Sequence, residues 1–344
     1  MKLISYLELG KEQIGLVIND QVYNLKLAAS VKSALKIPET MKDFLKAGQH
    51  VISVATEIDE LIKTGMMGTK STDLDKVNVL APITRPPSVR DAYAFRQHVA
   101  SARRNRGVDM IPEFDEYPIF YFTNHKSIIG PGDVECMPDH FEKLDFELEW
   151  ACVIGKKGIN ISAENATDYI AGYTIMNDLS ARRLQMEEMK LNLGPAKGKD
   201  FATSIGPYLV TADELAEYAM TPKEGHVGTR FKLDMKCWVN GKQVSQGNTS
   251  DMDWTFEEII ERASYGTHLY PGDVIGSGTV GTGCFLELNG TGLLNDKSFT
   301  PQWLQENDVV DMEVTGLGKL SNTIKRFDSD MSILSKKKKS LVNN

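Results

Sequence analysis

Apolar and polar positions alternate through the first two dozen residues, so about 1–24 read as short strands. Asn19-Asp20 stands between the apolar runs IGLVI and QVYNL, where a two-residue hairpin turn fits. From residue 39 to 63 the period changes. Met41, Phe44, Leu45, Val51, Val54, Ile58, Leu61 and Ile62 recur at helical spacing. The polar, glycine-bearing stretch from Thr64 to Asp75 reads as a linker. The pattern therefore predicts a small β-rich N-terminal domain over 1–75, with helices.

After residue 76 strand and turn signals dominate. Gly130-Pro131-Gly132-Asp133 and Pro271-Gly272-Asp273 predict turns, and Asn240-Gly241 predicts a type I′ hairpin because both residues accept positive φ. Helical spacing is scattered near 163–171, 179–190 and 212–219. A further helix starts at Thr255, where Glu258 completes a capping box. Helices without βαβ regularity predict an α+β domain with mixed or antiparallel sheets over 76–330. The run Lys336–Lys339 ends the chain in a basic flexible tail, 331–344.

Composition narrows the function classes. The 344 residues are 41% hydrophobic with net charge −8, which disfavours nucleic-acid partners that need phosphate neutralisation. No apolar run is long enough to span a bilayer, and the N-terminus reads as a strand, not a signal peptide. A cytoplasmic location without a membrane partner is the expectation. Cys136, Cys152, Cys237 and Cys284 form no CxxC pair and are expected to be reduced, partly buried thiols.

Four stretches carry candidate chemistry. In Asp145–Gly155 the E-x-E spacing sets Glu147 and Glu149 on one face of an apolar strand. Adjacent carboxylates repel unless a cation neutralises them, and oxygen-only ligands suit Mg²⁺, Ca²⁺ or Mn²⁺. A half-exposed strand with a charged outer face is the plainer alternative. In Gly172–Gln185 a strand runs into a helix. Asp178 can be its N-cap, yet Asp178, Arg182 and Gln185 share one face. In Asp91–His98 the histidine near an aspartate and Tyr93 is a candidate base. In Gly283–Gly290, Glu287 reads as part of a short strand and can orient a histidine. Gly276–Gly281 matches G-x-G-x-x-G. Its sequel has strand period, so the glycines are expected to let a loop approach a site closely, without binding a dinucleotide.

In order, D-x-Y-x-x-x-Q-H, E-L-E, N-D-x-S-A-R-x-x-Q, G-K-x-F-x-T, S-G-T and L-E-L resemble the fumarylacetoacetate hydrolase family over about residues 80–320. The resemblance implies a mixed β-sandwich-like roll of that family's type, with the small N-terminal β-rich domain in front, and a homodimer. It implies a divalent metal held by Asp91, Glu147, Glu149 and Asp178, with Thr203 near it. His98 and Glu287 would activate water, and Arg182, Gln185 and Lys199 would hold developing negative charge. Tyr93, Tyr121, Arg106 and Thr279 would contact a small anionic substrate. The implied reaction is hydrolysis of a carbon–carbon bond in a 1,3-diketo (2,4-dioxo) acid such as fumarylacetoacetate or an acylpyruvate. The alternative is decarboxylation, hydration or isomerisation of a 2-oxo acid on the same metal–enolate site. A non-catalytic binding protein is a third class. The N-terminal part is shorter than in the animal fumarylacetoacetase, so the pocket is expected to differ.

Overall fold

A computed structural model describes residues 1–32 and 36–336. The first strands are β1 (Lys2–Glu8), β2 (Lys11–Ile18), β3 (Gln21–Asn24), β4 (Ser71–Asp73), β5 (Val89–Ala92), β6 (Phe120–Thr123) and β7 (Gly132–Cys136). They are followed by β8 (Leu148–Ile154), β9 (Ile170–Asn177), β10 (Thr203–Val210), β11 (Asp234–Val239), β12 (Lys242–Asn248), β13 (Val274–Gly276), β14 (Val309–Val314) and β15 (Gly318–Arg326). The helices are α1 (Leu25–Lys32), α2 (Met41–Ala47), α3 (Gln49–Lys63), α4 (Arg96–Arg104), α5 (Ala163–Ala166), α6 (Arg182–Glu188), α7 (Phe256–Ser264) and α8 (Phe285–Asn295).

Among the described residues the strands form a large mixed sheet in the order β4-β3-β2-β1-β10-β9-β8-β13-β5-β6, and a second in the order β12-β11-β14-β15-β7. The fold is α+β, as expected. Most neighbours are antiparallel, but β13 runs parallel to β5, and β15 to β7. The N-terminal strands enter the large sheet where Lys2 and Leu3 of β1 pair with Val210 and Leu209.

β8 is buried along its whole length because both of its faces are covered. Trp150, Cys152 and Ile154 point toward the second sheet and pack with Met235, Cys237, Val310, Met312 and Leu320. Ala151 and Val153 point the other way, into a core shared with Leu3, Leu16, Phe44, Leu45 and Ile58. Helix α3 contributes Val51, Ala55, Ile58 and Ile62 from one stripe at helical spacing.

Local signals agree with the structure where turn chemistry governs them. Asn19 and Asp20 both adopt positive φ between β2 and β3, as do Asn240 and Gly241 between β11 and β12. Thr255 and Glu258 form the expected capping box of α7. Other elements differ. α1 has no counterpart in the sequence pattern, the 64–75 stretch contains β4, and the helical patterns near 163–171 and 212–219 close into single turns and 3₁₀ structure. The tail is described only to Lys336, and residues 337–344 lie outside the described residues. Just before them, the Ile333 and Leu334 N–H groups donate to Asp139 at 2.7 and 3.1 Å. No described helix is long and apolar enough to cross a membrane.

Candidate active site

β5, β8 and β9 lie close together in the large sheet, and their ends deliver four carboxylates to one point. Asp91 comes from β5, and Glu149 from β8, with Glu147 just before it. Asp178 follows the last residue of β9. All four are buried, and one oxygen from each lies within 4.8 Å of those of the others. The glycine loop after β13 closes over them. The Gly278 N–H donates to Asp91 Oδ1 and Glu149 Oε2, both at 3.1 Å, and Thr279 Oγ1 donates to Glu149 at 3.3 Å. Gly278 has φ +80°, and a Cβ there would stand 2.6 Å from the Ala92 carbonyl oxygen. Glycine is required here for this close approach, as the sequence reading expected.

Positive charge is built into the same cluster. Lys199 Nζ donates to Asp178 at 2.5 Å and also to Glu147. Arg182 Nη2 donates to Glu147 Oε1 at 2.7 Å. Tyr121 donates its hydroxyl to Asp178, and Thr203 Oγ1 stands 3.5 Å from the same carboxylate. Burial and the charge of Asp178 push Asp91 up to about 7. Burial, then Asp91, holds Glu149 well above the usual carboxylate range. Burial also acts on Glu147, but Arg182 and Lys199 outweigh it and hold that group low. The centre thus has more carboxylates than its two cations satisfy. An oxygen-only set of four acids fits a hard divalent ion, which would keep all four ionised.

Beside the carboxylates, α4 presents His98 and α8 presents Glu287. His98 Nδ1 lies 2.7 Å from Glu287 Oε2, both side chains being buried. The same oxygen accepts the Thr282 N–H at 3.0 Å. Thr282 is held at φ +68°, a costly backbone conformation for a β-branched residue. Asn105, the residue after α4, donates to the Glu287 carbonyl at 3.0 Å and so ties the two helices together.

Glu287 lies in a helix, where the sequence reading placed a strand. Phe285-Leu286-Glu287-Leu288 is too short for its period to decide between the two. The deciding group is distant in sequence: Asp145 accepts the Phe285 and Leu286 N–H groups at 2.7 and 2.9 Å, completing the helix N-terminus. The glycine motif is therefore followed by a helix after all, but its anion seat is filled by Asp145. Asp145 carries no local signal of this role, although it alternates with Glu147 and Glu149 in D-x-E-x-E.

The other expected residues divide. Tyr93 packs edge-on against His98, ring centroids 6.1 Å apart. Arg182 is engaged through all three of its nitrogens, donating from Nε to Asp145, from Nη1 to Gln185 and from Nη2 to Glu147. Arg106 is exposed, with Nε on the Ala102 carbonyl, and does not join the cluster. Two open cavities of about 490 and 380 Å³ lie elsewhere, and neither is lined by the four carboxylates.

Residues 88–325 match the family described as fumarylacetoacetate (FAA) hydrolase C-terminal. Oxaloacetate tautomerase YisK of Bacillus subtilis (strain 168) is 31% identical over 321 residues, covering 90% of this chain and 95% of that protein. The mitochondrial oxaloacetate tautomerase Fahd2a of Rattus norvegicus is 33% identical over 291 residues, 84% of this chain and 80% of its own length. Among solved structures, a fumarylacetoacetate hydrolase from psychrophilic Exiguobacterium antarcticum superposes with a TM-score of 0.67 at 25% identity, covering 95% of this chain and 100% of that one. A maleylpyruvate hydrolase from Sphingobium sp. SYK-6 shares the fold at TM-score 0.66 and 19% identity, with 95% and 100% covered.

Proposed function

This chain belongs to the fumarylacetoacetate hydrolase family, and from that premise we propose that it is a divalent-metal-dependent tautomerase of a short 2-oxo acid, oxaloacetate being the first candidate. The observation that carries the reading is the convergence of Asp91, Glu147, Glu149 and Asp178 on one buried point beside His98. The tautomerase names of relatives at 31% and 33% identity favour isomerisation over the carbon–carbon cleavage expected at first.

The four carboxylates would hold the ion, which when bound supplies Lewis-acid polarisation of the 2-oxo group. The remaining chemistry falls to the chain. Interconverting keto and enol forms breaks a C3–H bond and makes an O–H bond, with no water, oxidant or second substrate consumed. Glu287 fixes Nδ1 of His98, which leaves Nε2 to take and return the C3 proton. Lys199 offers a cation to charge developing on the 2-oxo oxygen. Arg182, engaged on three sides, orients Glu147. Tyr93, Tyr121 and Thr279 bound the substrate space. A small anionic substrate and a homodimer belong to the same reading.

One observation favours a second reading. The His98–Glu287 pair is also what a water-activating dyad requires, so hydrolysis of an acylpyruvate or fumarylacetoacetate remains the rival. A single panel separates the two. Loss of the oxaloacetate enol absorbance is followed with EDTA or with Mg²⁺, Mn²⁺ or Ca²⁺, beside acylpyruvates and fumarylacetoacetate. Tautomerisation expects metal-dependent equilibration of oxaloacetate without release of a smaller acid. Cleavage of an acylpyruvate into two acids, with oxaloacetate equilibrating only at its uncatalysed rate, would overturn it.

A further inference from the structure

A second set of donors adjoins the carboxylate centre and differs from it in kind. His98, Glu147 and Cys284 are all buried and offer one ligand atom each within 4.8 Å of one another. Only Glu147 is common to the two groups. Cys284 is the residue immediately before α8, in the loop that Asp145 and Thr282 hold in place. The four-carboxylate set is oxygen throughout, whereas this one is nitrogen, sulfur and oxygen. Donor softness therefore separates their preferences: oxygen sets take Mg²⁺, Ca²⁺ or Mn²⁺, and a mixed set with a thiolate takes Zn²⁺.

We propose that His98, Cys284 and Glu147 form a thiophilic-metal site that captures Zn²⁺ beside the carboxylate centre.

Three features of the structure support this beyond the three side chains. The first is the Glu287 carboxylate, 2.7 Å from His98 Nδ1. A carboxylate on the far nitrogen of a histidine fixes the tautomer and raises the basicity of the other nitrogen, which is the usual outer support of a zinc-bound imidazole. The second is reach. Ligands about 2.0–2.3 Å from a tetrahedral ion stand roughly 3.5 Å apart, and the three donor atoms already lie within 4.8 Å of one another, so side-chain adjustment alone can complete the set. The third is openness of coordination. Three protein donors leave one tetrahedral position for water or a substrate oxygen, as in zinc sites that are not purely structural. On binding, the Cys284 thiol gives its proton to the buffer, and a Zn–S bond forms.

The consequence rests on the proposed function. An ion on His98 occupies the nitrogen assigned to the C3 proton, so Zn²⁺ should inhibit an enzyme already saturated with Mg²⁺.

The test uses the full chain with saturating Mg²⁺ and equimolar Zn²⁺, read by zinc K-edge X-ray absorption. The expected shell holds one sulfur at about 2.3 Å together with nitrogen and oxygen at about 2.0–2.2 Å. Cys284→Ser should lose the sulfur and need at least tenfold more Zn²⁺ for half-inhibition. A wild-type shell of nitrogen and oxygen alone overturns the site, since the ion then sits on the carboxylate centre only, and this measurement needs no variant to fold. Sulfur that persists in Cys284→Ser overturns it as well. A sulfur-bearing shell in a protein that never turns over oxaloacetate would uphold the site and sink the tautomerase reading, so the two fail separately.

Discussion

Asp145 and Arg182 are a fully buried ion pair, Oδ2 to Nε 2.9 Å, and through it the two halves of the site are set relative to each other. On one side Arg182 passes on to Glu147 of the carboxylate centre. On the other, Asp145 takes the first two N–H groups of the helix that carries Glu287. A negative charge suits that end of a helix, and a buried carboxylate that accepts from Arg182 and from the Phe146, Phe285 and Leu286 N–H groups has little freedom to move. Asp145 thus helps set the distance between the acidic centre and the imidazole, acting through Arg182 on one side and α8 on the other.

Asp145→Asn keeps the volume and removes the charge. Arg182 then has Glu147 as its only anionic partner, and one of the helix N–H groups faces an amide NH₂. Removing one member of a buried pair costs about 3 kcal/mol or more. The variant is expected to melt several degrees lower and to lose at least tenfold in turnover. Wild-type kcat in Asp145→Asn protein that is shown to be folded would refute the positioning role.

Lys199 stands between Glu147 and Asp178 as an internal counter-charge. Lys199→Met leaves four carboxylates with less compensation, and the folded state should then depend more on an external cation. Ligand linkage supplies about 2.7 kcal/mol at a hundredfold excess over Kd. The difference in melting temperature between EDTA and Mg²⁺ is expected to be wider in Lys199→Met than in wild type. An equal or narrower gap would show that the lysine and the ion do not serve the same charge.

What could be read from sequence follows a physical division. Asn19-Asp20 and Asn240-Gly241 were legible because a turn that demands positive φ is chosen by its own two residues. The acids were legible too. Glu147 and Glu149 stand in an apolar strand and Asp178 at a strand end, where an unpaired charge is costly and needs an explanation; Asp91 joined them only through the family resemblance. Helix α8 was not, because its N-terminus is completed by Asp145, 140 residues away, and the intervening residues alone carry an ambiguous period. The same holds for the sheet. Nothing local in Lys2 or Leu3 announces Val210 and Leu209 as partners. Arg106, expected to contact substrate, lies at the surface with Nε on the Ala102 carbonyl, outside the carboxylate cluster.

The α4–α8 contact that brings His98 to Glu287 depends on Gly290, where a Cβ would lie 2.4 Å from Asn105 Nδ2. Gly290→Ala should displace Asn105, break its bond to the Glu287 carbonyl and cost about 1–3 kcal/mol by overpacking. Turnover should fall more than substrate affinity, because the dyad and not the binding space is disturbed. A rise in KM with unchanged kcat would place the disturbance elsewhere.

His140 supplies a pH dependence that is separate from the carboxylate centre. Its ring lies against Phe201, centroids 4.1 Å apart, and its Nδ1 accepts the Met137 N–H at 3.2 Å. Phe201 sits between Lys199 and Thr203, so this packing supports the segment that reaches the site. Burial, reinforced by Lys197 and opposed by Asp139 and Asp200, lowers His140 from 6.5 to about 4. The unfolded chain therefore binds more protons between those values. The contribution is fully present above about pH 6.5 and is lost as the pH falls toward 4. At about 1.4 kcal/mol per pKa unit it amounts to roughly 3 to 4 kcal/mol at most. Chemical denaturation across that window should show wild type losing stability more steeply than His140→Gln. Parallel slopes for the two proteins would mean that another group governs the acid limb.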